Sequence, residues 1–281
     1  MLPRRPKRLY KQRLKFRGSR HIAKPPPPLK PGRARPMNPL PRREFEAETG
    51  GPSWIWGVHA GLAALANPAR QIERVVATRN AAQKLPPGAD VHILEPDAID
   101  GMLPPGAVHQ GLAVRASPLE PLTLEAACAP ADGRSVLVLD GVTDVQNVGA
   151  AFRSAAAFGA RAVVLQERRS PPLTGALAKA AAGAIEIVPH VRVANIARAL
   201  QELADLGYVT IALEGEATLA LSDAIDRAQA NAFVLGAEGK GLRPGVAEAC
   251  AKRARIPIAP EMESLNVSVA AAIALYEARR A

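Results

Sequence analysis

At 281 residues the chain is long enough to bury one full hydrophobic core and a smaller second one, and it has no apolar run approaching the ~18 residues that cross a membrane. Two cysteines, Cys128 and Cys250, exclude a disulfide framework and a cysteine-rich metal cluster. The net charge of +10 is very unevenly placed: residues 1–50 hold 15 Lys/Arg against 3 Asp/Glu, and the other 231 hold 21 against 23.

Residues 1–52 read as a tail. Ten prolines fall in its first fifty positions, including Pro25-Pro26-Pro27-Pro28, and the first acidic residue is Glu44. Such a stretch cannot bury enough apolar surface to offset the entropy of ordering it, so a disordered basic arm is expected. Its charge suits RNA phosphates through counterion release. An inert solubilising tail and an organelle-targeting peptide are the other readings, although the prolines would break the amphipathic helix of a targeting peptide. With no apolar secretory core, the chain reads as cytoplasmic.

Residues 53–117 alternate short strands and helices. Strands are predicted over 54–58, 72–77, 91–94 and 108–114, with helices over 59–66, stopped by Asn67-Pro68, and 95–102. Trp54 and Trp56 point to one face of the first strand, which favours core packing over base stacking. Residues 118–133 read as a linker with one helical pattern at 122–127. From 134 to 281 the pattern is a regular βα alternation. Buried strands are predicted over 135–139, 162–165, 185–188, 209–213, 232–235 and 255–258. Alanine-rich helices are predicted over 148–158, 173–182, 194–206, 244–253 and 265–279. The fold class is therefore α/β with a mainly parallel sheet, and ligands belong at the strand carboxyl ends.

Three motifs interrupt this alternation where strands end. The first is Asp140-Gly141-Val142-Thr143-Asp144-Val145-Gln146-Asn147-Val148-Gly149-Ala150-Ala151-Phe152-Arg153. Arg153 is the only charge on an otherwise apolar helix, so it needs a cleft or an acidic partner, for which Glu238 is the candidate. Asn147 stands where a cap belongs, about 9 Å along the helix axis from Arg153. Read alone, the two also suit a capping asparagine and a salt-bridged arginine. The second motif, Val234-Leu235-Gly236-Ala237-Glu238-Gly239-Lys240-Gly241-Leu242-Arg243, is glycine-rich, which lets backbone approach a ligand. Lacking Ser or Thr after Gly-Lys, it is no Walker loop, and its glycine spacing misses the dinucleotide fingerprint; an ordinary tight turn is the alternative. The third motif is Ile256-Pro257-Ile258, then Ser264-Leu265-Asn266-Val267-Ser268, with Ser264 a candidate helix cap.

In order and spacing, these three motifs closely resemble the signatures of the SpoU (TrmH) family within the SPOUT superfamily, RNA 2′-O-ribose methyltransferases using S-adenosylmethionine. The resemblance covers roughly residues 54–281 and implies a trefoil-knotted catalytic domain acting as a homodimer. It also implies that the domain at 53–117 is a ribosomal-protein-like RNA-binding unit, as in the branch that methylates a guanosine of large-subunit rRNA. By resemblance, Arg153 activates the ribose 2′-hydroxyl, with Asn147, Glu238, Ser264 and Asn266 around the reacting groups. Leu235, Gly236, Gly239 and Gly241, with Ile256, Ile258 and Leu265, would hold the cofactor. No metal is implied. Basic residues at Lys179, Arg192 and Arg198, in family-like segments, are candidates for RNA contact or for solvated helix faces; His59 and His109, in segments that recur in the ribosomal branch, are candidates for a role there or for satisfied structural histidines. Two departures from the pattern weaken the substrate-side match: Val145-Gln146 in motif one, and the loop Ala259-Pro260-Glu261-Met262-Glu263, whose glutamates disfavour phosphate. The rival readings are a transfer-RNA methyltransferase and a non-catalytic RNA-binding assembly factor of the same fold.

Overall fold

The computed structural model describes residues 51–173 and 175–280. Of the expected tail, 1–52, all but the last two residues lie outside them.

The first sheet is built from β1 (Ser53–Trp56), β2 (Ile72–Ala77), β3 (His92–Ile93) and β4 (Leu112–Ala116) in the order β1-β4-β2-β3. Strand β4 runs antiparallel to both β1 and β2. Three helices connect the strands: α1 (Val58–Ala66), α2 (Arg79–Ala82), whose first turn Thr78 caps, and α3 (Pro96–Asp100). The strand expected over 108–114 begins only at Leu112. Gln110 and Gly111 take positive φ values of 54° and 83° and turn the chain before pairing can start. Trp54 and Trp56 are buried together with Val76, Ile99, Leu103 and Ala113, the core packing that their shared face predicts.

After α4 (Leu124–Cys128) comes the larger sheet. In chain order its elements are β5 (Val136–Asp140), α5 (Val145–Ala157), β6 (Ala162–Gln166), α6 (Gly175–Ala180), β7 (His190–Val193), α7 (Ile196–Asp205), β8 (Tyr208–Leu213), β9 (Leu219–Ala220), α8 (Leu221–Ala224), β10 (Ala230–Gly236), α9 (Pro244–Glu248), β11 (Lys252–Arg255) and α10 (Val267–Arg280). The strands lie in the order β7-β6-β5-β10-β8-β11-β9, and every neighbouring pair is parallel. Such a sheet is covered on both faces, which is why β5 reads as a continuous apolar run. Its Leu137 and Leu139 pack with Phe152 and Leu275 on one side, and Val136 and Val138 with Leu200 and Val246 on the other.

In the larger sheet two expected strands lie elsewhere, and the short β9 has no counterpart among those expected. The apolar run 185–188 is a 3-10 turn (Ala184–Glu186) and its exit, with Ile185 and Val188 buried and Ile187 70% exposed; the strand is β7, just beyond Pro189. The last strand is β11, not 255–258. Pro257 has no N–H to give a ladder, and pairing to β8 and β9 uses the polar residues before it.

The two sheets meet across a buried ion pair. Arg70 donates through Nε and Nη2 to Glu186, both side chains being 2% exposed, and through Nη1 to the Ser117 carbonyl. Asn67 donates to the same carboxylate. Beside this, α6 is wedged between β1 and α5. A Cβ on Gly175 would sit 1.9 Å from the Trp54 carbonyl oxygen, and one on Gly149 would sit 2.5 Å from the Ala180 methyl. Glycine at both positions lets α6 join the small sheet to the helix that carries motif one.

Candidate active site

Strands β5, β10, β8 and β11 are consecutive neighbours running the same way, so their carboxyl ends emerge along one edge. Motif one leaves β5 there, motif two leaves β10, and motif three follows β11. Residues separated by more than a hundred positions are thereby brought together.

Asn266 ties the three motifs. Its Nδ2 donates to Asn147 Oδ1 at 2.9 Å and to Glu238 Oε1 at 2.6 Å. Its Oδ1 accepts from the backbone N–H of Ser268 and Val269 and from the Ser268 hydroxyl, at 2.9, 3.3 and 2.6 Å, so it also caps α10. Each cap therefore differs from the sequence expectation. Asp144, not Asn147, caps α5 by accepting from the Asn147 N–H at 2.8 Å, and this leaves the Asn147 amide free to face Asn266. Ser264 is exposed and makes no hydrogen bond to another described residue.

Arg153 is exposed on α5. The expected pair with Glu238 is not formed: Glu238 is engaged by Asn266, and among the described residues no carboxylate or carbonyl pairs with Arg153. An arginine at a helix surface keeps its charge without a partner because water solvates it, so the helix imposes no ion pair. The partnered arginine of the site is Arg243, which sequence reasoning passed over. It grips the buried Asp140 carboxylate, the first residue of motif one, through Nε at 3.0 Å and Nη2 at 2.5 Å. A lone acid ending an apolar strand is the signal that would have found it.

The glycine loop after β10 folds tightly on itself. Gly241 N–H donates to the Ala237 carbonyl at 2.8 Å, and a Cβ at Gly236 would lie 2.1 Å from the Gly241 carbonyl carbon. Gly239 and Gly241 take φ of 73° and 64°, and Gly141, just after β5, takes 70°. Among the described residues, apart from their chain neighbours, none of the three has an atom within 4 Å of where a Cβ would stand, so the backbone is open on that side. Leu235 offers only its backbone, since its side chain is in the core. Ile256 and Leu265 are half-buried, and Ile258 is exposed. The turn after β8 also reaches this edge: Gly215 lies beside the Glu263 carbonyl, and Glu214 N–H donates to the Ala254 carbonyl. No feature of the sequence singled it out.

Of the remaining basic candidates, Lys179, Arg192 and Arg198 each have an intramolecular partner, Arg198 on an exposed helix face. Lys179 donates to Gln110 Oε1 at 2.9 Å, and burial lowers its pKa. Arg192 holds the Pro171 carbonyl, and Arg198 pairs with Glu202 one turn on. His59 is exposed, whereas His109 is buried and faces Asp100 at 3.2 Å.

An all-parallel α/β sheet with open glycine backbone and a polar cluster at its carboxyl edge places these groups where α/β enzymes bind their ligands. Residues 134–276 match the SpoU rRNA Methylase family. The chain is 38% identical over 238 residues to the 23S rRNA (guanosine-2′-O-)-methyltransferase RlmB of Vibrio cholerae, an alignment covering 80% of this chain and 96% of that protein. It is 45% identical over 174 residues to the RlmB of a Burkholderia species, covering 61% and 70%. The fold resembles that of the SpoU methyltransferase AviRb from Streptomyces viridochromogenes in complex with AdoMet, with a TM-score of 0.70 at 20% identity over 82% of this chain and 90% of that one. This chain belongs to the SpoU rRNA methylase family.

Proposed function

We propose that the protein is an S-adenosylmethionine-dependent 2′-O-ribose methyltransferase acting on a guanosine of 23S-type large-subunit rRNA. The observation that carries the reading is the joining of three separate motifs through the single amide of Asn266. Similarity to RlmB along nearly the whole of that enzyme supports the rRNA substrate over transfer RNA.

The open backbone at Gly239, Gly241 and Gly141 fits an adenosine-bearing ligand, with Leu235 and Gly236 supplying backbone and Ile256, Ile258 and Leu265 apolar surface. When bound there, S-adenosylmethionine supplies an electrophilic methyl group. The chain's own task is to make a ribose 2′-hydroxyl nucleophilic. Arg153, solvated and unpaired among the described residues, is free to meet the developing alkoxide. A guanidinium scarcely loses its proton, so its role is oxyanion stabilisation rather than base catalysis. Asn147, Glu238 and Asn266 form a preorganised frame, with Ser264 on the substrate side, and positioning supplies much of the barrier reduction. The exposed Glu261 and Glu263 keep phosphates from the third loop, so the RNA backbone approaches from elsewhere.

The same reading includes a small RNA-docking unit over 53–117, a linker at 118–133, a catalytic domain over 134–281 with its chain threaded as a trefoil knot, and cytoplasmic location. It also includes a homodimer, supported by the exposed Val269 and Tyr276 two turns apart on α10. The basic arm at 1–52 belongs to RNA attraction, by its charge.

The test is methyl transfer from labelled S-adenosylmethionine to ribosomal and transfer RNA lacking their own methylation, with wild type and Arg153→Ala in parallel. Label on large-subunit RNA that falls by about 10²-fold or more with Arg153→Ala is expected. Label on transfer RNA alone would replace the substrate. Cofactor binding without transfer to either RNA would favour the non-catalytic assembly factor.

A further inference from the structure

Asp140 closes β5 with a carboxylate that is 1% exposed. Every hydrogen bond it receives from described residues comes from one residue, Arg243. Nε lies 3.0 Å from Oδ1 and 3.1 Å from Oδ2, Nη2 lies 2.5 Å from Oδ1, and the Arg243 backbone N–H lies 3.2 Å from Oδ2. The contact spans 103 positions of sequence. It joins the start of motif one to the far end of the glycine loop of motif two.

The position of Arg243 makes this choice of residue informative. Arg243 is the N-cap of α9 and gives that helix no side-chain cap bond. Asn, Asp, Ser or Thr would serve the helix better there, and a positive charge at a helix N-terminus opposes the helix dipole. Nor does the fold require an arginine there for stability: the Arg243 side chain is 41% exposed, and an ion pair with a buried member is often matched by an apolar pair of similar volume. What the guanidinium does gain is a fixed end for the loop. At its beginning the loop is held by the β10 ladder and by the near-contact of Gly236 with Gly241. At its end it is held by Arg243. Between these anchors Glu238, Gly239 and Lys240 are exposed, and Gly239 and Gly241 depend on left-handed backbone.

We propose that Asp140 and Arg243 form a latch that sets the shape of the 236–241 loop and so the affinity for S-adenosylmethionine. Both are positioning residues that act without touching the cofactor. The proposal rests on the assignment of that loop to the cofactor made above. It adds a determinant of cofactor affinity lying outside the residues expected to line the pocket.

The test measures three quantities on the full chain: S-adenosylmethionine binding by calorimetry, binding of a large-subunit rRNA fragment by fluorescence anisotropy, and ligand-free thermal unfolding. Variants are Arg243→Gln, Arg243→Lys and the double variant Asp140→Asn with Arg243→Gln. Expected is a rise in cofactor Kd of at least about tenfold for Arg243→Gln, with RNA affinity changed less than about twofold. Arg243→Lys should fall between, because a single ammonium cannot reproduce the fork. The double variant should recover most of the affinity, since a neutral pair still bridges the ends and leaves no buried unpaired charge. A folded Arg243→Gln with unchanged cofactor Kd overturns the latch. So does a parallel loss of cofactor affinity, RNA affinity and Tm, which would mark a merely structural pair. If Arg243→Gln fails to fold, Arg243→Lys and the double variant decide by the same criteria. A wild-type protein that binds no S-adenosylmethionine overturns the loop assignment itself, a result distinguishable because it precedes any substitution.

Discussion

Asn266 performs two jobs with opposite ends of one amide, and the two can be separated. Its oxygen caps α10 and its nitrogen donates to Asn147 and Glu238. Aspartate caps as well as asparagine does, but it has no donors to offer. Asn266→Asp should therefore keep the unfolding free energy within about 1 kcal/mol of wild type, while a carboxylate oxygen now faces Glu238 Oε1. Methyl transfer should drop by about 10²-fold or more as the frame opens. Asn266→Ala would lose cap and frame together, so it is the aspartate variant whose activity and urea unfolding, measured side by side, decide the point. Asn147, Glu238 and Asn266 were named as site residues on the resemblance of their motifs to the SpoU family; read alone, those motifs suited caps and an ordinary turn equally well. Their partners were not legible, because a hydrogen bond from α10 to α5 and to the β10 loop depends on strand order, which no local pattern carries. For the same reason Arg153 was assigned Glu238, while the real ion pair, Asp140 with Arg243, joined two residues that sequence separates by most of the domain.

At the scale of elements, the readable strands were those buried on both faces. Strands β5, β6, β8 and β10 appear in sequence as largely apolar runs because helices cover them on each side. The errors fell where that cover fails. Strand β11 pairs with only the three-residue register of β8 and the short β9, and Ala254 alone is buried in it, so its Lys-Arg-Ala-Arg sequence carries no strand signal. Strand β7 contains His190 and Arg192, while the more apolar 185–188 just before it forms a turn. Helices meet where glycine allows, and this gives a prediction. Gly175→Ala must push a methyl into the Trp54 carbonyl and the Trp56 ring, at 1.9 and 2.2 Å. Overpacking of this kind costs about 1–3 kcal/mol, and backbone on one side leaves little room to yield. Gly245→Ala in α9 meets no atom of the other described residues within 4 Å and should instead be neutral or stabilising by up to about 1 kcal/mol. Thermal unfolding of both variants checks the pair; equal destabilisation would mean that α6 is not held by its contact with β1.

For the whole molecule the decisive region is the junction of the two sheets, where charged groups are buried together. Arg70 and Glu186 neutralise one another there, with Asn67 and the Ser117 carbonyl completing the network. His190 lies in the same region, and among the described residues no carboxylate pairs with it. Burial above all, then the charges of Arg192 and Arg70, pushes its imidazole down to about 4. In the unfolded chain the same ring titrates near its ordinary value of about 6.5. As pH falls below 6.5, the unfolded state takes up a proton that the folded state refuses, so stability is complete above that pH and is lost progressively toward 4. At pH 4.5 the loss from this one group should be about 2 kcal/mol. Urea unfolding of wild type and His190→Leu at pH 7.5 and 4.5 isolates it, because carboxylates that also titrate in that range contribute to both proteins alike. Wild type should lose about 2 kcal/mol more than the variant between the two conditions. Equal losses would mean that His190 is protonated without cost and that the junction admits water. The junction joins the proposed RNA-docking sheet to α6 and, through Gly149, to the helix bearing Asn147 and Arg153.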